Sequence, residues 1–395
     1  MFVNKNLLSS LSAVACLRSG SICGLIGRSS GLPVVFPILW FSVGIVQTFS
    51  SKSKCDFSLA RSSPFRHANA AEGVGPPRGE NRQLSGLAEA LPGCWHTGPM
   101  PELPDVAVYT ESLAAKLEGA LLNRVRILNP FLLRTAVPPI ASAQGKRVVG
   151  IERLGKRVVI GLEDELFLVI HLMIAGRLRW LAVGAKPPGK IALAAFEFEA
   201  GTLLLTEAGS KRRASLHLVA GRAALQAMDP GGIDVLSCDL AAFAQRLASE
   251  NHTLKRSLTN PRLFSGIGNA YSDEILHRAR LSPLTLTRAL DAEATRRLFD
   301  ATRTVLLEWT ERLRGEAAAH GGWPDKVTAF HPAMAVHGRY GEPCPVCGAP
   351  VQRIVHADNE TNYCARCQTG GKLLADRALS RLLKASWPKH IDDLE

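Results

Sequence analysis

Apolar side chains recur every three or four positions from Leu103 to Ala120, at Val106, Val108/Tyr109, Leu113 and Leu117. That is the spacing of an amphipathic helix. The period then shortens to two. Val125–Leu128, Arg147–Ile151, Arg157–Ile160, Leu166–His171, Arg177–Leu181, Ala192–Phe198 and Thr202–Leu205 read as strands, parted by turn signals such as Glu163-Asp164-Glu165 and Ala200-Gly201. Short strands at this spacing predict an antiparallel β-sandwich. Helical spacing returns over Leu240–Leu247, Thr253–Leu258 and Ala270 to about Ala279, broken by a turn, Pro261–Asn269, that carries Gly266 and Gly268. A longer helix runs from an Asp291 N-cap to about Arg314, with Leu298, Val305, Leu306, Trp309 and Leu313 on its apolar face. Its role is core packing. Gln352–Val355 and Asn362–Tyr363 pair as a late hairpin.

Residues 1–99 fit none of these periods. No charge lies between Arg28 and Lys52, a length able to span a bilayer, but Pro33, Pro37, Gly31 and Gly44 break the stretch. Lys5 ahead of Leu7–Leu17 has the layout of a signal peptide. Residues 51–99 are rich in Ser, Arg, Gly and Pro and read as disordered. A membrane anchor and a targeting segment are alternatives here. The favoured reading is that 1–99 are not part of the working protein, translation starting at Met100.

The 395 residues are 46% hydrophobic and 21% charged, which excludes a wholly disordered, collagen-like or coiled-coil chain. The formal charge is +12, from 47 Lys/Arg against 35 Asp/Glu, and it favours a polyanionic partner, nucleic acid or an anionic membrane. Four cysteines of the nine are closely patterned. Cys344-Pro-Val-Cys347 and Cys364-Ala-Arg-Cys367 stand 16 residues apart, the spacing of a structural zinc ribbon in a reducing compartment. Four sulfurs close the site, so one structural Zn2+ is expected, with no position open to water.

From Met100 the chain runs Pro101-Glu-Leu-Pro-Asp-Val106. Read alone, Pro101-Glu102 is also an ordinary helix start. The segment resembles the amino terminus of the bacterial formamidopyrimidine-DNA glycosylases, and the resemblance recurs to about residue 372. It implies that Pro101, once terminal, is the nucleophile. Within a chain its nitrogen is an amide with a delocalised lone pair, whereas a terminal α-amine titrates near about 7.7–8.0 and is partly neutral at pH 7. Such an amine can form an iminium with the deoxyribose of a damaged nucleotide.

The same resemblance implies further roles. Glu102 donates a proton to the opening sugar ring. Lys156, in Gly155-Lys-Arg157, grips phosphate beside the lesion. Glu274 stands within the active site. Asn269, ending Gly266-Ile-Gly-Asn269, binds a flanking phosphate. Ile174 in His171-Leu-Met-Ile-Ala-Gly176, with Met173 as alternative, fills the gap left by the flipped nucleotide, one residue of the pair facing outward on an alternating strand. Lys211, Arg212 and Arg213 occupy the loop that meets the estranged base. The chain departs from the family in three places: the aromatic of that loop is missing, residues 315–337 differ from the loop that caps oxidised guanine, and Asn359 replaces the arginine of the hairpin tip. Asn359 supplies a hydrogen bond without charge, so Arg366 or Lys372 is expected to compensate.

These readings converge on an α+β protein: an N-terminal antiparallel β-sandwich lobe (101–225), a helical helix–two-turns–helix lobe (236–315), a C-terminal zinc-ribbon hairpin (338–372) and a tail (373–395). The expected function is a bifunctional glycosylase and abasic-site lyase acting on oxidised or ring-opened purines in damaged double-stranded DNA. It would work as a monomer, without a membrane, in the cytoplasm at the nucleoid. Rival readings are an endonuclease VIII-like enzyme for oxidised pyrimidines, a zinc-ribbon DNA binder that has lost catalysis, and a membrane-tethered protein.

Overall fold

A computed structural model describes residues 100–208, 212–324, 327, 330–356, 359–375, 380–382, 384–386 and 388–394. The readings made for 1–99 and for Lys211 lie outside these residues. Helix α1 (Leu103–Leu117) forms where the sequence spacing places it, and Val106, Tyr109, Leu113 and Leu117 are buried along one stripe. Eight strands follow: β1 (Leu121–Ile127), β2 (Lys146–Leu154), β3 (Arg157–Leu162), β4 (Leu166–His171), β5 (Gly176–Leu181), β6 (Ala192–Phe198), β7 (Gly201–Glu207) and β8 (Ser215–Ala220). They are laid out in the antiparallel order β5-β7-β6-β1-β2-β3-β4-β8. The β1–β2 ladder that joins the two halves is short, pairing Leu121 with Arg147 and Leu122 with Lys146. Side chains from both halves, among them Val158, Leu168, Phe196 and Leu205, share one core with α1. The expected sandwich is thus one sheet folded over on itself. β8 was not anticipated; it alternates buried Leu216 and Leu218 with partly exposed Ser215 and His217, a half-buried strand's pattern directly after a basic run.

Helix α2 (Arg222–Gln226) closes the first lobe, with Leu225 packed on Val159, Phe167 and Val169 of the sheet. The second lobe is helical: α3 (Leu240–Ala248), α4 (Leu254–Thr259), α5 (Asn269–Ala279) and α6 (Ala292–Ala319). Its core is aromatic at both ends, with Phe243 and Phe264 rings 4.8 Å apart and Tyr271 edge-on to Trp309 at 5.8 Å. Asp291 caps α6 as expected, accepting from the Ala294 N–H at 2.7 Å. The helix runs five residues past Arg314 because Glu316-Ala-Ala-Ala319 are strong helix formers after the apolar period has faded. That extension absorbs the start of the segment expected to be a capping loop.

The hairpin β9 (Val351–His356) and β10 (Asn359–Cys364) leads into α7 (Ala365–Thr369). The hairpin lies on α5: Asn269 Nδ2 donates to the Glu360 carbonyl at 2.8 Å, and Gln368 Nε2 to that of Leu281 at 2.9 Å. Among the described residues no helix is long and apolar enough to cross a membrane.

Removing the α6 cap should cost about 0.5–2 kcal/mol. Asp291→Ala is expected to lower the urea midpoint accordingly, with zinc content unchanged; an unaltered midpoint would show that the cap contributes nothing.

Candidate active site

The start of α1 and the start of α5 meet. Pro101 and Glu102 are buried where they do so. The Glu102 backbone N–H donates to Asp105 Oδ2 at 2.9 Å, which turns the chain into α1. Its carboxylate points the other way, into the first turn of α5. Oε2 accepts from the Gly268 N–H at 2.6 Å and the Tyr271 N–H at 3.3 Å, and Oε1 accepts from the Ala270 N–H at 2.9 Å. These are amides a helix leaves without an internal partner, at the positive end of its dipole.

Gly268 makes the meeting possible. A Cβ there would stand 2.3 Å from Lys156 Nζ and 2.5 Å from Glu102 Cδ. Its backbone is extended, so close approach rather than handedness demands glycine. Gly266 differs: its φ is +82°, and a Cβ would also lie 2.8 Å from Leu103 Cβ.

Lys156 sits on the β2–β3 turn with its Nζ 4.0 Å from Met100 Sδ. Burial pushes its ammonium below the usual lysine range, against the opposing pull of Glu102 and Asp105. Burial likewise raises Asp105 to about 7, with the Glu102 charge adding to the rise and backbone donation opposing it. Beside them a cavity of about 230 Å³ opens between α1 and the end of α6, lined by Asp105, Val108, Leu313, Glu316, His320 and Val327.

Other expected residues fall differently. Glu274 is buried, but its carboxylate accepts from the Ala335, Val336 and His337 amides at 2.8, 2.9 and 3.0 Å. Three donors tie it to the segment entering the zinc ribbon, and no hydrogen bond to Pro101 or Glu102 is among its described contacts. Met173 and Ile174 stand not on an alternating strand but in the β4–β5 turn, Met173 with φ +53° and both partly exposed. The choice between them is therefore not made by strand faces. Arg212 and Arg213 are exposed; the loop is anchored by Glu207, whose carboxylate accepts from the Arg213 and Ala214 N–H groups. Asn359 is exposed at the start of β10, and exposed Arg366 pairs with Asp392 at 3.0 Å.

Sequence reasoning missed Lys255, His171 and Asp105. Lys255 Nζ donates to Asp273 Oδ1 at 2.6 Å and to the Asn269 carbonyl at 2.7 Å, and His337 Nδ1 stands 2.8 Å from the other Asp273 oxygen. His171 opposes Arg157 across the ladder, and burial followed by the Arg157 and Lys156 charges pushes its imidazole down to about 4. A lysine on a six-residue helix and a histidine closing a strand carry no signal of their own. Asp105 lay in view within the opening hexapeptide.

The four sulfurs of Cys344, Cys347, Cys364 and Cys367 lie within 4.8 Å of one another. Tetrahedral zinc with bonds of about 2.3 Å sets sulfurs about 3.8 Å apart; the observed Cys344–Cys367 and Cys347–Cys364 separations are 3.9 and 3.3 Å. The donor set fits one structural Zn2+.

Comparison with known proteins agrees along the described chain. Family profiles described as the formamidopyrimidine-DNA glycosylase N-terminal domain, its H2TH domain, and the zinc finger found in FPG and IleRS match residues 100–213, 232–317 and 341–370. The formamidopyrimidine-DNA glycosylase of Heliobacterium modesticaldum is 32% identical over 278 residues, which span 68% of this chain and 100% of that one. The crystal structure of the Thermus thermophilus protein is 34% identical, with a TM-score of 0.58, covering 68% of this chain and 98% of its own. The Lactococcus lactis protein has been solved with DNA containing an oxidised pyrimidine (26% identity, TM-score 0.61) and with DNA containing FAPY-dG (25%, 0.61), each covering 68% of this chain and 100% of its own. With matching domains in matching order, a four-cysteine ribbon and a relative spanned from end to end, the chain belongs to the formamidopyrimidine-DNA glycosylase family.

Proposed function

We propose that this protein removes damaged bases from duplex DNA and cuts the strand at the resulting abasic site, through a covalent bond between Pro101 and deoxyribose. The observation that carries this reading is the carboxylate of Glu102, adjacent to Pro101 and held by three amides of α5 beside partly buried Lys156. The Pro101 amine attacks C1′, the base leaves with its bonding electrons and takes a proton, and the nitrogen, having shed its own proton, closes an iminium once the C1′–O4′ bond breaks. Glu102 delivers a proton to the ring oxygen as the sugar opens. The iminium acidifies C2′, and loss of that proton expels the 3′ phosphate by β-elimination; δ-elimination then expels the 5′ phosphate.

Lys156 and Asn269 hold the flanking phosphates in this reading, joined by Arg366 where Asn359 brings no charge. Ile174 or Met173 enters the gap, and Lys211, Arg212 and Arg213 meet the opposite strand. Glu274 positions the approach to the ribbon. We take the working form to be a monomer in the cytoplasm at the nucleoid, where the substrate lies and where four thiolates stay reduced.

Oxidised or ring-opened purines are the favoured lesions, supported by the relatives' shared name and by Asp105 and Glu316, which offer acceptors for purine N–H groups at the cavity. The oxidised-pyrimidine complex of the Lactococcus relative keeps the second reading in play. Matched duplexes carrying either lesion distinguish them: faster cutting of the purine duplex is expected, and preference for the pyrimidine duplex reverses the assignment.

A chain beginning at Pro101 should give a covalent adduct with an abasic duplex under borohydride, and a chain retaining Met100 should give none. Absence of the adduct from the Pro101 chain would leave the scaffold a DNA binder.

Asp105 supplies a pH test. An acid whose folded pKa rises from 3.8 to about 7 keeps its proton longer when folded than when unfolded. Its contribution to stability is therefore full below about pH 4 and is lost as pH rises through about 7. Asp105→Asn should flatten that decline in denaturant titrations across the window; an unchanged slope would mean that Asp105 does not hold its proton.

A further inference from the structure

We propose that His277 supports the zinc centre from outside the ribbon, its Nε2–H donating a hydrogen bond to the Cys344 thiolate and so tying helix α5 directly to the metal site. The ring nitrogen lies 3.3 Å from Cys344 Sγ, and both residues are buried, at 6% and 3% exposure.

The electrostatics explain the need. A Zn2+ held by four thiolates carries two net negative charges, and buried charge must be spread by hydrogen-bond donors. Within the ribbon, the Cys367 N–H faces Cys364 Sγ at 3.5 Å and the Ala349 N–H serves Cys347. Cys344 receives its donor from a side chain 67 residues earlier. His277 is not a fifth candidate ligand, because the four sulfurs already cluster among themselves.

The placement has a consequence for the reaction. His277 stands eight residues after Asn269, about 12 Å along the same helix from the amides that hold Glu102. Asn269, Glu274 and His277 all lie on this helix, and each makes a polar contact with the ribbon or with the segment entering it. His277 is the member of that set that reaches the metal ligands, so it is a positioning residue that passes the rigidity of the metal site to α5. This inference needs the zinc but not the glycosylase chemistry, and its test reads the metal alone.

The full-length protein with Co2+ in place of zinc supplies the readout. His277→Phe keeps a ring and deletes the donor, while His277→Gln restores an N–H at similar reach. In the Phe variant the thiolate-to-cobalt charge-transfer band should move to lower energy, and zinc affinity in competition with a chromophoric chelator should fall about 10–100-fold. The Gln variant should recover both. The unsubstituted protein loaded with 113Cd gives a check that needs no variant: a scalar coupling from the metal through Cys344 sulfur to the His277 Nε2 proton. A Phe variant with the parent band and affinity would overturn the proposal. So would a visible ring proton without coupling, or a parent cobalt spectrum of three sulfurs and one nitrogen.

Discussion

The contact on which the rest depends is that between the Glu102 carboxylate and the first turn of α5. It joins the two lobes next to Pro101. Three amides that α5 cannot satisfy internally find their acceptor on the residue next to Pro101. A shorter side chain would not span the gap, and a side chain at Gly268 would close it against Lys156. Burial also sets the charge state of the cluster. Burial is the leading influence on both Lys156 and Asp105, moving an ammonium down and a carboxyl up. An acid raised to about 7, as Asp105 is, is suited to exchanging protons near neutral pH.

A second set of contacts keeps α5 in place to receive Glu102. The ribbon lies along it through Asn269 to the β10 backbone, Glu274 to three amides ahead of the first cysteine, and Gln368 to the carbonyl just beyond the helix. Within the helical lobe, Lys255 ties the Asn269 carbonyl to Asp273, and Asp273 in turn meets His337. The metal site therefore braces a helix whose far end holds the Glu102 carboxylate. That arrangement explains why a zinc with no position open to substrate belongs to the enzyme at all.

Much was legible before any coordinates. Period two against period three to four separated the lobes, because burying one face of a strand or of a helix leaves that signature whatever the topology. Cysteine spacing pointed to the metal, and the opening hexapeptide singled out Pro101 and Glu102, which the fold buries where α1 meets α5. What stayed hidden shares a cause. The partners of Glu274 could not be read from its own segment, because its three backbone donors come from some sixty residues later. Met173 was treated as part of a strand, but it bends left-handed in a turn. β8 hid behind a basic run, and α6 outran its apolar stripe on propensity alone.

The linear chain determined which residues carry chemistry and which faces are buried, since both follow from side-chain type and local period. Folding alone decided what those residues touch. Lys255, His171 and His277 acquire their partners when α4, β4 and α5 pack, and no spacing along the chain encodes a meeting between residues 277 and 344. Solvent exclusion is likewise a property of packed lobes: a carboxyl such as that of Asp105 is ordinary in water and rises to about 7 only once the fold buries it.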